Sequence, residues 1–99
     1  MLKIEKSGTL PALTVTLAGR LDTITAPELE KELKASLEGV TGLTIDMAAL
    51  DYISSAGLRV LLSTQKHMAK QGEMTVRNVG ETVRDIFEVT GFTDILTIE

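Results

Sequence analysis

Two adjacent serines, Ser54 and Ser55, stand where an apolar helical pattern begins in the stretch LDYISSAGLRVLL, residues 50–62. A serine at the start of a helix can cap its first turn, which contributes about 1 kcal/mol. Its hydroxyl can also carry a phosphate, which adds roughly −1.5 to −2 charges beside the partial positive charge of the helix amino terminus. Ala56 and Gly57 keep that turn narrow, so that a partner could approach the backbone closely. The spacing alone leaves the capping and functional interpretations equally open.

Two acidic residues flank this junction. Asp22 lies between the second predicted strand and the first predicted helix, and Asp51 lies just before the serine pair. If the strands before these two loops are parallel neighbours, both loops emerge at the same end of the sheet. A phosphate on Ser55 would then meet two carboxylates of like charge. An ordinary turn role is an equal alternative for Asp22 and the favoured interpretation for Asp51.

A catalytic role for the serines is disfavoured. A nucleophilic serine needs a base within hydrogen-bond reach, oriented by a third group. The single histidine, His67, follows Ser55 by 12 residues on the same predicted helix. That separation is about 18 Å at the helical rise. The sequence contains no G-x-S-x-G, G-x-x-x-x-G-K-[ST] or G-x-G-x-x-G motif. We expect a binding protein rather than an enzyme, with nucleotide binding as a weak alternative.

The strands that must position these residues follow from hydrophobic periodicity. Alternating apolar and polar residues predict five strands, which lie around Leu2 and Ile4 and over residues 10–21, 42–50, 73–79 and 94–99. The first two strands are expected to form a hairpin, because Lys6-Ser7-Gly8 between them has turn chemistry.

Three helices are predicted between the strands, within residues 22–39, 55–72 and 81–91. A capping box of Thr25 and Glu28 is expected to begin the first helix. The second helix is expected to bury a face that comprises Leu58, Leu61, Leu62, Gln65, Met68 and Ala69. The order β-β-α-β-α-β-α-β predicts an α/β fold: a single mixed β-sheet with helices packed on it and one antiparallel hairpin strand at an edge.

Length and composition limit the classes of function. Ninety-nine residues suit one small domain, residues 1–99, and the absence of cysteine suits a reducing compartment. The net charge of −4 disfavours a nucleic-acid partner, because phosphate contacts require clustered Lys and Arg. The amino terminus lacks the apolar core of a secretory signal, and no apolar run approaches the roughly 20 residues of a membrane span. We therefore expect a cytoplasmic protein without membrane insertion, cofactor or metal.

Three segments together resemble the STAS domain of bacterial anti-sigma-factor antagonists: GRLDTITAPELE, LTIDM and DYISSAGLRVLL. The resemblance covers nearly the whole chain and implies a phosphorylation-controlled switch of protein partners. In that family a serine kinase with a histidine-kinase-like ATPase fold, which is also the anti-sigma factor, phosphorylates the serine that begins the helix after the third strand. The unphosphorylated form binds this kinase and frees the sigma factor, and a PP2C-type phosphatase restores it.

By position, the resemblance places the phosphoacceptor on Ser55 and the acidic contact residue of the family on Asp22. Many members have Asp directly before the phosphorylated serine, where this chain has Ser54. Ser54 is therefore the alternative acceptor. The implied partner-binding residues are Asp22, Thr23, Thr25, Ser54, Ser55, Ala56, Gly57, Leu58 and Arg59. The alternative within the same fold is a STAS subunit of a lipid-transport ABC system that is not phosphorylated.

Overall fold

Five strands form one sheet whose spatial order follows the chain, β1-β2-β3-β4-β5. The computed structural model describes residues 1–99. The strands are β1 (Leu2–Ser7), β2 (Ala12–Leu21), β3 (Gly42–Ile53), β4 (Glu73–Arg77) and β5 (Thr97–Ile98). Strand β1 is antiparallel to β2, and all the other neighbouring pairs are parallel. The predicted mixed sheet with a hairpin at one edge is confirmed.

The three α-helices are α1 (Ala26–Ser36), α2 (Ser55–Ala69) and α3 (Glu81–Thr90). Each helix connects two parallel strands that lie side by side, and the strand order always advances in the same direction. Right-handed crossovers therefore put all three helices on one face of the sheet. The helices cover the row Val15, Ile45 and Val76, which pair across β2, β3 and β4 and are at most 1% exposed. None of these helices has both the length and the apolar composition that crossing a membrane requires.

The opposite face of the sheet carries hydroxyl and charged side chains. One row of residues pairs across all five strands: Ser7, Thr14, Thr44, Thr75 and Thr97. None of these residues is buried. The sheet is thus covered on one side only, as the alternating pattern of its strands requires.

The third strand is longer than predicted. It continues past Leu50 to Ile53, because Tyr52 and Ile53 still pair with Arg20 and Leu21 of β2. The register to β2 shifts on both sides of the pair Ala49–Leu50. The alternation of buried and exposed residues in β3 fails at Ala48–Ala49. Asp51 therefore lies within a strand, and its predicted role in a turn is wrong.

One further strand and one helix face differ from the predictions. A 3-10 helix, Phe92–Asp94, follows the left-handed turn at Gly91 and leaves only two residues for β5. In α2, Val60 and Thr64 are buried whereas Ala69 is exposed. The buried face is rotated from the predicted one because α2 packs against α1 as well as the sheet.

Candidate functional site

The two serines at the start of α2 have different surroundings. Ser54 is the N-cap residue, and its Oγ accepts a hydrogen bond from the Gly57 N–H at 3.4 Å. Its carbonyl accepts from the Leu58 N–H at 2.9 Å. Ser55 is the first helical residue, its side chain is exposed, and no protein group hydrogen-bonds its hydroxyl. Ser54 therefore caps the helix, whereas Ser55 carries the solvent-exposed hydroxyl. The sequence had left both roles open for each serine.

The Asp22 loop and the serine junction are joined through the backbone. The Ser54 N–H donates to the carbonyl oxygen of Leu21 at 2.8 Å. Leu21 and Ile53, the last residues of β2 and β3, are also partners in the parallel register. The loop that follows β2 and the turn that follows β3 therefore emerge side by side, as expected for parallel neighbours.

Asp22 organises its own loop. Its Oδ1 accepts from the Ile24 and Thr25 N–H groups, each at 3.0 Å. Donation from the Thr25 N–H, and then from the Ile24 N–H, holds the pKa of Asp22 below its ordinary value despite partial desolvation. The carboxylate is half-buried and is used by the loop itself, which is the turn role that the sequence left as an alternative.

The predicted capping box of Thr25 and Glu28 does not form. Thr25 is 5% exposed, and its hydroxyl accepts from the Asp22 N–H and donates to the Arg20 carbonyl, both at 2.8 Å. The helix N-cap position therefore has no side-chain cap. The Thr25 hydroxyl bonds to the end of β2 and is therefore not available to the capping box.

A second contact stiffens the base of this loop. The Arg20 guanidinium lies 4.5 Å from the centre of the Tyr52 ring, at a distance typical of a cation–π contact. Its Nε is 3.9 Å from Oδ2 of Asp22. Both carboxylate oxygens of Asp22 therefore face groups of this chain.

Gly57 sets the closeness of α2 to the sheet. An added Cβ would lie 2.7 Å from Cγ of Leu21 and 2.8 Å from Cγ1 of Ile53. Both of these side chains are at most 1% exposed, so neither can move away without disturbing the core. The first turn of α2 thus rests directly on the ends of β2 and β3, which fixes the position of Ser55.

We call the Asp22–Thr25 loop together with residues 54–59 the docking face. Its predicted contact residues fall into three groups: exposed Thr23, Ser55 and Arg59; half-buried Asp22, Ser54 and Ala56; and buried Thr25, Gly57 and Leu58. The structure brings the two segments together, since Thr23, Ala56 and Arg59 line one shallow groove between α1 and α2. The three buried residues underlie the exposed ones and help to position the face.

Sequence reasoning missed several residues of this region. The same groove is also lined by Ala26, Pro27, Glu30 and Val60. Val60 follows Ala56 by four residues, so helical spacing could have found it. Ile24, 82% exposed on the loop itself, was also missed, because exposure of an apolar loop residue leaves no periodic signal.

Ser55 has no histidine base within hydrogen-bond reach. Ser55 and His67 both belong to α2, so the helical separation of about 18 Å holds. A phosphate on Ser55 would instead sit at the first turn of a 15-residue helix, where the helix dipole favours negative charge. The Ser55 hydroxyl is therefore exposed at a position where negative charge is favoured.

Comparison with known proteins identifies the family. The STAS domain model matches residues 3–99. The Bordetella bronchiseptica protein BtrV, provisionally named an anti-sigma factor antagonist, is 39% identical over 88 residues, which cover 87% of this chain and 76% of BtrV. The anti-sigma-B factor antagonist of Bacillus subtilis is 33% identical over 87 residues, covering 87% of this chain and 80% of that protein.

Solved structures share the fold. An anti-sigma factor antagonist from Mycobacterium paratuberculosis has a TM-score of 0.89 at 24% identity, covering 99% of this chain and 85% of that chain. The Bacillus cell fate determinant SpoIIAA, solved in its phosphorylated form, has a TM-score of 0.74 at 19% identity, covering 100% of this chain and 91% of that chain. The chain belongs to the STAS domain family and, within it, to the anti-sigma factor antagonists.

Proposed function

We propose that this chain is a protein-binding switch controlled by phosphorylation of Ser55. In the unphosphorylated form it binds an anti-sigma serine kinase and thereby frees a sigma factor. Phosphorylation of Ser55 blocks that binding, and a PP2C-type phosphatase restores it. The observation that carries the proposal is the contrast between the free, exposed hydroxyl of Ser55 and the engaged hydroxyl of Ser54.

The electrostatics of the docking face support such a switch. A phosphate would add roughly −1.5 to −2 charges at the first turn of α2. The helix dipole tolerates this charge, so the fold survives the modification. A partner that packs closely on the neutral hydroxyl would have to desolvate the new charge, which is costly without a matching cation. The modification therefore changes the affinity for a partner and leaves the fold intact.

The names of the relatives supply the class of partner. The Bacillus subtilis relative is an anti-sigma-B factor antagonist, so an anti-sigma factor is the partner that we expect for this chain. The phosphorylated state of SpoIIAA supports modification within this fold. A non-enzymatic role in the cytoplasm fits this assignment. The transporter-subunit alternative predicts binding that does not depend on Ser55.

Mass spectrometry tests the proposal. The chain is incubated with ATP and the anti-sigma serine kinase of the same organism, and the modified residue is located by peptide fragmentation. We expect a phosphate on Ser55 in the wild type and in Ser54→Ala, and none in Ser55→Ala. A phosphate on Ser54 alone would overturn the assignment of Ser55, and no modification of either serine would favour the transporter-subunit alternative.

A further inference from the structure

Ile24 is an exposed apolar residue on the Asp22–Thr25 loop of the docking face. Its side chain is 82% exposed and lies on the loop beside the start of α2. Four other large apolar residues are exposed, namely Met1, Leu10, Val89 and Ile95. None of these four belongs to the docking face, so Ile24 is the apolar side chain that a partner of Ser55 would meet.

A single exposed apolar residue is ordinary on a protein surface. Ile24 differs because hydrogen bonds hold the backbone of its loop in one conformation. The Ile24 N–H is bound by Oδ1 of Asp22, and the next residue is fixed by the buried hydroxyl of Thr25. Arg20, stacked on Tyr52, faces the other carboxylate oxygen. A β-branched side chain on such a backbone has few conformations to lose when it is bound.

The loop also stands at a fixed position relative to Ser55. The hydrogen bond from Ser54 to Leu21 ties the base of the loop to the start of α2. Thr23, which precedes Ile24, shares a groove with Ala56 and Arg59. Ile24 is therefore held at a fixed position beside Ser55, the residue that would gain or lose a phosphate. This arrangement suits a single partner that contacts Ile24 and Ser55 together.

We propose that Ile24 is the apolar anchor of the docking face, and that it inserts into an apolar pocket of the protein kinase that modifies Ser55. This inference rests on the proposed function. Anchors of this type carry a large share of the binding energy in protein interfaces, whereas exposed residues outside the interface carry almost none. Ile24 would thus contribute binding energy for the kinase, and phosphorylation of Ser55 would decide whether the complex persists.

Calorimetric titration of the kinase with the unphosphorylated chain tests the anchor. We expect Ile24→Ser to weaken binding by about tenfold or more, and Ile24→Leu to retain affinity within about threefold. The matched control is Val89→Ser, since Val89 is 87% exposed on α3 and lies outside the docking face. That variant should bind within about twofold of the wild type. Thermal unfolding of each variant should match the wild type, because both side chains are exposed.

Two results would overturn the anchor: Ile24→Ser binding as tightly as the wild type, or Val89→Ser losing as much affinity as Ile24→Ser. In either case, continued binding of the wild type and a phosphate on Ser55 would leave the proposed function standing. If the wild-type chain neither bound the kinase nor became phosphorylated, the proposed function itself would fail. The same variants therefore distinguish failure of the Ile24 anchor from failure of the proposed function.

Discussion

Gly57 and Leu21 pack so closely that a single added carbon at Gly57 would lie 2.7 Å from Cγ of Leu21. This contact joins the first turn of α2 to the end of β2, and it sets how far Ser55 projects from the sheet. The same β2 end begins the Asp22 loop. The geometry of the docking face therefore depends on the packing beneath it as much as on its exposed side chains.

Replacement of Gly57 by alanine should destabilise the fold by up to about 2 kcal/mol. Overpacking of a core costs about 1–3 kcal/mol, and the gain in helix propensity, about 1 kcal/mol, offsets part of that cost. The control is Gly42→Ala, because a Cβ at Gly42 meets nothing within 4 Å. Urea unfolding of both variants measures the difference. Equal stability of Gly57→Ala and Gly42→Ala would show that the contact can relax.

Thr25→Val should lower the free energy of unfolding by about 1–3 kcal/mol, since the Asp22 N–H and the Arg20 carbonyl would lose their partner in a part-buried site. Thr23→Val makes the same chemical change at an exposed position of the same loop. It should change stability by less than about 0.5 kcal/mol. If the two valine variants unfolded at the same urea concentration, the hydroxyl of Thr25 would not hold the loop.

Asp22→Asn should remove part of the pH dependence of stability. The pKa of Asp22 is lowered in the folded state, so its contribution is fully present above the ordinary aspartate pKa and is lost as pH falls through the folded value. The gap in urea midpoint between wild type and Asp22→Asn should therefore narrow as the pH is lowered from 7. Asp51→Asn makes the same substitution at an exposed strand position and should change the urea midpoint at pH 7 by less than Asp22→Asn does. A gap that stays constant with pH would contradict this assignment.

Ser54→Ala should separate stability from modification. Loss of its cap to Gly57 should cost about 0.5–1 kcal/mol, at the low end for caps because the 3.4 Å contact is long. The exposed hydroxyl of Ser55 would remain available to a kinase. Thermal unfolding measures the first effect, and the rate of phosphate incorporation measures the second. A stable variant that had lost its modification would reverse the roles of the two serines.

Much of the fold could be predicted from local patterns. Alternation in β1 and β2 predicted the hairpin, and the helical pattern correctly placed α3 within residues 81–91. The end of β3 could not be predicted, because the pattern breaks at Ala48–Ala49 while pairing to β2 continues. Strand length there is decided by a neighbour that is distant in sequence, which no local window contains.

The site was predictable in position but not in detail. Resemblance pointed to the Ser54–Ser55 junction, and parallel pairing correctly brought Asp22 beside it. The sequence could not predict the different surroundings of Ser54 and Ser55, because the two residues are adjacent and identical. The difference depends on which hydroxyl faces the Gly57 N–H. The capping box at Thr25 failed for a related reason: a tertiary partner at Arg20 competes for the same hydroxyl.

The central claim is that the charge on Ser55 decides whether the docking face binds its kinase. The most direct test is a calorimetric comparison of unphosphorylated chain, Ser55-phosphorylated chain and Ser55→Asp with the same anti-sigma serine kinase. We predict that both charged forms bind more than about tenfold more weakly than the unphosphorylated chain, while Ser55→Ala binds as tightly as it does. Equal affinity of the phosphorylated and unphosphorylated chains would contradict the claim.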